Sequence, residues 1–166
     1  LDFEQSLRQR VNALAGLSQE AIGRVSRRVT ATRGAQELVD EVHKRGGRVC
    51  AVSGGFHELV DPLASGLGLD DWKANRFGYH NGSLSGLLDG PIVDAQAKRV
   101  WLTQWAQQWS VPSTHIVAVG DGANDLEMMS ASAVSVAFCA KPVVRERASV
   151  ALDERDLARV IEYLPA

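Results

Sequence analysis

The sequence predicts an α/β fold: an open, mostly parallel sheet with helices on both faces. Three observations carry that expectation. From about residue 35 onward, apolar runs of strand length alternate with stretches of helical spacing. The runs end in glycine and small polar residues before the next helix, as in Arg48-Val49-Cys50-Ala51-Val52-Ser53 before Gly54-Gly55, and His115–Gly120 before Asp121-Gly122. No repeat or low-complexity tract interrupts the rhythm.

The first stretch departs from it. Between Asp2 and Leu17, Phe3, Leu7, Val11 and Leu14 recur at helical spacing with Arg8, Gln9 and Arg10 between them. Ser18 reads as the N-cap of a second helix with Ile22, Val25 and Val29 on one face. Thr30-Ala31-Thr32-Arg33-Gly34 breaks the pattern and marks a boundary. Ala35–Arg45 is a helix closed by Gly46-Gly47. The run Arg48–Ser53 has the continuous apolar character of a parallel strand covered on both faces. Gly54-Gly55 then turns into a helix through Phe56, Leu59, Val60 and Leu63. Phe77–Leu88 is a hairpin centred on Asn81-Gly82, a two-residue turn signal. Asp94–Trp109 is a long helix. After it come the strand His115–Gly120, a helix through Leu126–Met129 and the strand Val134–Phe138. A short helix after Pro142, the strand Ser149–Leu152 and a last helix from Asp156 complete the order.

With 166 residues, 45% hydrophobic and 23% charged, the chain can bury one substantial core with a modest insertion. A formal charge of -2 gives no global pull toward nucleic acid or anionic membrane, so a bound anion needs local groups. Arg24, Arg27 and Arg28 read as a solvated face. No apolar run is long enough to cross a bilayer, and no secretory signal is visible. Cys50 and Cys139 sit in apolar contexts and read as buried free thiols in a reducing, cytoplasmic setting. His43, His57, His80 and His115 have no ligand spacing. Leu1 is not an initiator Met and opens inside a helical pattern, so the chain reads as part of something longer.

In open parallel sheets, ligands gather at the carboxyl ends of strands. Gly120-Asp121-Gly122-Ala123-Asn124-Asp125 lies at such an end, and its flanking glycines leave the Asp121 carboxylate open to an ion. Asp125 can point back to the same place from the next helix. Magnesium favours oxygen ligands and keeps several waters, so one direct carboxylate with a second nearby suits it. The Asn124 amide can bond a phosphate oxygen. Ser53-Gly54-Gly55 offers a hydroxyl and backbone N–H groups at a helix start, which is an anion site by chemistry and an ordinary turn by composition. Lys98, early in a helix, reads alone as a solvated lysine. Trp101, Trp105 and Trp109 form a stripe expected to pack against the sheet.

Four segments together resemble the phosphoserine phosphatases of the haloacid dehalogenase superfamily. They are Phe3–Val11, Val52-Ser53-Gly54-Gly55-Phe56, Val93–Lys98, and Val119–Asp125 with Phe138-Cys139-Ala140-Lys141-Pro142 after it. The resemblance spans essentially the whole chain in order. It implies a Rossmann-like core at residues 34–166 with a hairpin insertion near 77–90, and a helical cap to which residues 1–33 belong. It implies a magnesium-dependent enzyme that hydrolyses O-phosphoserine through an aspartyl-phosphate, the last step of serine biosynthesis, with no nucleic-acid or membrane partner. By the same resemblance Ser53 and Gly54 would hold the phosphoryl group, and Lys98 would neutralise it. Asp121 would ligate magnesium with Asp125 in support, Asn124 would contact phosphate or substrate, and Arg10 would pair with the substrate carboxylate. Phosphohomoserine or another small phosphomonoester is the competing substrate.

One family motif is absent. No Asp-x-Asp pair occurs in the 166 residues, whereas the family's first strand ends in Asp-x-Asp-x-Thr, which supplies nucleophile and general acid/base. That strand would lie centrally, between those ending at Ser53 and Gly120. The chain alone is therefore expected neither to turn over phosphoserine nor to complete the core. A truncated, non-catalytic homologue that binds phosphate or a partner is the alternative. A dinucleotide-binding fold is disfavoured, because no Gly-rich loop follows a first strand.

Overall fold

A computed structural model of the chain describes residues 2–166; Leu1 lies outside the described residues. Seven α-helices and six strands follow one another: α1 Phe3–Asn12, α2 Gln19–Ser26, α3 Ala35–Lys44, β1 Cys50–Phe56, α4 His57–Leu67, β2 Asp71–His80, β3 Ser83–Asp89, α5 Ala95–Gln108, β4 Val117–Gly120, α6 Leu126–Met129, β5 Val134–Phe138, α7 Pro142–Arg145 and β6 Val150–Leu152. Short 3₁₀ segments cover Ser113–His115, Ala123–Asp125 and Leu157–Tyr163. The α/β class holds, and the strands form two three-stranded sheets, β1-β2-β3 and β4-β5-β6. The contacts group the chain into two compact units, residues 2–31 with Cys50–Asp94, and Thr32–Val49 with Ala95–Ala166.

In the first unit, caps set both helices. Asp2 accepts from the Gln5 N–H at 2.8 Å, and Ser18 Oγ accepts from the Ala21 N–H at 3.1 Å. α1 is shorter than its apolar pattern, because Ala13–Gly16 unwinds to meet the hairpin. Gly16 N–H donates to the Leu84 carbonyl at 2.8 Å, Leu84 N–H to that of Leu17 at 2.7 Å, and Gln19 N–H to that of Gly82 at 2.9 Å. The hairpin turns where expected, with Asn81 (φ 49°) and Gly82 (φ 78°) both left-handed, the pair a type I′ turn requires. Leu7, Val11, Ile22, Phe77 and Leu84 form the buried cluster, and Phe56 stacks on Phe77 at 3.8 Å between ring centroids.

Three expectations are corrected here. β1 does not turn at Gly54-Gly55 but stays extended to Phe56, which pairs with Asn75 of β2. It is half-buried throughout rather than covered on both faces, since it stands at the end of its sheet. Its neighbour, the first half of β2, escapes the sequence reading: Asp71-Trp72-Lys73 pairs in parallel with Cys50-Ala51-Val52, although its polar content suggests a loop. Val25 and Val29 are exposed, because α2 ends at Ser26 and only Ile22 faces the core.

In the second unit all strands run parallel. Val117 pairs with Val134, Gly120 with Ala137 and Phe138 with Leu152, so β5 is central and its Val136 and Ala137 have no exposed surface. α5 packs chiefly on α6 rather than on the strands. Of the tryptophan stripe only Trp105 is buried; Trp101 and Trp109 are half-buried, and the Arg48 guanidinium lies 5.8 Å from the Trp109 ring centre. The last helix is 3₁₀ rather than α, capped by Asp156, whose carboxylate accepts from the Ala158 N–H at 3.0 Å. Gly34 (φ 78°) meets it closely: a Cβ there would fall 2.1 Å from Asp156 Oδ1. No helix among the described residues is long and apolar enough to cross a membrane, and both cysteines are free thiols, half-buried rather than buried.

Candidate active-site residues at two strand ends

The end of β4 is organised by a buried ion pair. Lys98, in the first turns of α5, is 6% exposed and places Nζ 2.6 Å from Asp125 Oδ1, with Asp125 also 6% exposed. The lysine that reads alone as solvated is thus drawn under the strand end, where breaking the pair would leave a charge without compensation. The other oxygen of Asp125 accepts from the N–H groups of Asp121 (3.0 Å) and Gly122 (3.1 Å). Three donors therefore occupy the two oxygens of Asp125, which shapes the Gly120–Gly122 backbone from behind. Gly120 must be glycine for this: a Cβ there would come within 2.5 Å of Asp125 Cβ. The Asp121 carbonyl accepts from the Lys141 N–H at 3.1 Å, tying in the Ala140-Lys141-Pro142 segment.

Asp121 itself is exposed, and none of its described contacts engages its carboxylate. Asn124 is half-buried and sets its Oδ1 over Gly122, 2.8 Å from where a Cβ would stand. A hard divalent cation suits this donor set: one exposed carboxylate oxygen donor on a rigid turn, with room for water around it. No group of three or more His, Cys, Asp or Glu side chains among the described residues could build an all-protein cage.

The end of β1 is organised without charge. Ser53 Oγ accepts from the Gly55 N–H at 2.9 Å, which leaves its own proton to donate. That Gly55 amide is thus already used, and α4 begins only at His57, so the expected helix-start amides are not those of Gly54-Gly55. The Gly54 carbonyl accepts from Asn75 Nδ2 at 3.0 Å, and Asn75 Oδ1 accepts from the Val93 N–H at 2.8 Å. Asn75 is 1% exposed, and sequence reasoning missed it; the only signal is a lone amide in a run that otherwise alternates.

Beside it, His57 Nδ1 lies 2.6 Å from Asp61 Oδ1, which also accepts from Trp72 Nε1 at 2.7 Å, while His57 Nε2 accepts from the Ala74 N–H at 3.1 Å. The Ala74 donor makes Nε2 the unprotonated nitrogen, so Nδ1 carries the proton. Burial alone would raise the Asp61 carboxyl, but hydrogen bonds from His57 and Trp72 outweigh it and hold it below the usual aspartate range. At the start of β1, burial together with the Asp70 charge pushes the Cys50 thiol up to about 12, so it stays protonated. Arg10 is exposed on α1, its Nε donating to the Ser6 carbonyl at 3.3 Å. The structure thus brings Lys98, Asp121, Asn124 and Asp125 together on the second unit, while Ser53, Gly54 and Arg10 lie on the first.

A glycine-bounded aspartate at a parallel strand end, seated on a buried lysine–aspartate pair, is the arrangement of a phosphoryl-handling hydrolase. The chain belongs to the haloacid dehalogenase-like hydrolases, whose family description matches residues 1–130. Among its relatives within that family are phosphoserine phosphatases. The enzyme of that name from Streptococcus thermophilus is 45% identical over 164 residues, which cover 99% of this chain and 76% of the relative. Two solved structures share 39% identity and cover 99% of this chain and 79% of their own: a phospho-aspartyl intermediate analogue of phosphoserine phosphatase (TM-score 0.95) and a substrate-bound phosphoserine phosphatase complex (TM-score 0.94).

Proposed function

We propose that this chain is the larger part of a magnesium-dependent phosphoserine phosphatase that hydrolyses O-phospho-L-serine through an aspartyl-phosphate. The observation that carries the reading is the buried Lys98–Asp125 pair at 2.6 Å beneath Gly120-Asp121-Gly122. Phosphoryl transfer needs positioning and charge compensation more than elaborate covalent chemistry. Lys98 would supply positive charge to the transferring group. Ser53 would donate its hydroxyl proton to a phosphoryl oxygen, beside the Gly54 backbone, and Asn124 would bond phosphate or substrate. Arg10 would grip the substrate carboxylate with its planar fork of donors. Asp121 would hold the magnesium ion, with Asp125 supporting it through the Asp121 amide; when bound, the ion supplies charge neutralisation at the phosphoryl oxygens. Residues 1–33 would belong to the cap, and residues 34–166, with the hairpin insertion near 77–90, to the core. The reading includes the reducing, cytoplasmic setting of serine biosynthesis.

The nucleophile is not among these residues, so the 166 residues by themselves are proposed to be inactive. A complete polypeptide carrying an Asp-x-Asp-x-Thr segment should release inorganic phosphate from O-phosphoserine and stop when magnesium is chelated. Faster turnover of phosphohomoserine would replace the substrate. Magnesium-dependent turnover by the 166 residues alone would refute the division of labour.

A further inference from the structure

Resting on that reading, we infer that Asn75 is a positioning residue for phosphate binding, acting through the Ser53 hydroxyl by a directed relay of hydrogen bonds within the first unit. The Gly54–Gly55 peptide is pinned at both ends: its oxygen by Asn75 Nδ2 at 3.0 Å, its N–H by Ser53 Oγ at 2.9 Å. Asn75 is in turn fixed by the Val93 N–H at 2.8 Å on its Oδ1. Every donor in this series points the same way. Val93 N–H gives to Asn75, the Asn75 amide gives to the Gly54 carbonyl, and the N–H of the same peptide gives to Ser53. Hydrogen bonds aligned head to tail polarise one another, and low local dielectric strengthens the effect. The series ends at Ser53 Oγ, one of whose lone pairs is taken and whose proton remains. The hydroxyl is thereby oriented and made a better donor, which is what a phosphoryl oxygen recruits.

Glutamine is one methylene too long for both bonds, and aspartate supplies an acceptor where Gly54 needs a donor. Burial of Asn75 to 1% exposure keeps water from substituting for either partner. No residue of this relay carries charge, so its effect is confined to geometry and polarity at one hydroxyl.

A double-mutant cycle in the complete polypeptide tests this, with inhibition by inorganic phosphate as the readout. Asn75→Asp keeps the Val93 bond and turns the Gly54 contact repulsive, and should weaken phosphate inhibition about tenfold. In a Ser53→Ala background the same change should alter it less than about twofold, because its target is gone. Equal loss in both backgrounds, or no loss in the first, overturns the relay. Should the variant fail to fold, hydrogen exchange on the unaltered enzyme decides. Saturating phosphate should slow exchange of the Val93 amide, and should not do so in Ser53→Ala. An unmoved Val93 amide overturns the proposal. A complete polypeptide that neither hydrolyses O-phosphoserine nor is inhibited by phosphate removes the functional reading first. An active enzyme indifferent to Asn75 removes the relay alone.

Discussion

The two strand ends solve one problem with opposite chemistry. At β4 the backbone of Gly120–Gly122 is shaped by a charged clamp, with Lys98 and Asp125 both nearly sealed from solvent. At β1 the Gly54–Gly55 peptide is shaped by a neutral clamp, Asn75. A charged clamp adds local field as well as shape, and would suit an end proposed to hold a cation and a dianion. It is also fragile, since losing one member strands the other in low dielectric. A neutral clamp adds shape and direction only, so its loss should appear more in binding than in folding.

The largest expected effect breaks the charged clamp. In the complete polypeptide, Lys98→Met should lower unfolding free energy in urea by about 3–5 kcal/mol and abolish turnover, because Asp125 is left buried and uncompensated. A loss below about 1 kcal/mol would mean that water reaches Asp125 and that the two ends do not differ in kind. Next comes Gly120→Ala. Its Cβ would press on Asp125 at 2.5 Å, and a change of about 1–3 kcal/mol is expected by thermal or urea unfolding. Gly55→Ala sharpens the contrast. A Cβ there meets only the Ser53 hydroxyl oxygen, at 3.1 Å, so stability should fall by less than about 1 kcal/mol while phosphate inhibition weakens.

The smallest effect concerns pH. The Asp61 carboxyl is held below its ordinary value in the fold, so its contribution is present above the unfolded pKa and is lost as pH falls through the folded one. Asp61→Asn should therefore flatten the acid limb of a stability–pH curve. With its side chain 42% exposed, that change should be small beside the loss of Lys98. An unchanged acid limb would show that the His57–Asp61–Trp72 bonds do not support the β1 end.

What could be read in the sequence follows from what glycine and periodicity encode. The turn at the β4 end was legible because Gly120–Asp125 is a contiguous string of turn residues after an apolar run. The hairpin was legible because Asn81-Gly82 admits few conformations. Asp125 was named from its place in that string and Lys98 through a family likeness; their pairing across 27 residues has no local signature. Asn75 was invisible for the same reason, its two partners standing 21 and 18 residues away. β2 was half missed because Asp71-Trp72-Lys73 looks polar, and pairing with β1 overrides propensity there. The tip of β1 was misplaced because glycine pairs serve turns and extended strands alike.

β1 and β4 each stand at the end of a sheet, with one row of backbone groups facing away from its own neighbours. In terms of handling rather than catalysis, such rims are templates for pairing with other chains. Preparations of these 166 residues alone should therefore self-associate with rising concentration, and a soluble peptide of strand length that pairs with either rim should suppress it. Storage and expression, not only turnover, would then report whether these rims are left open.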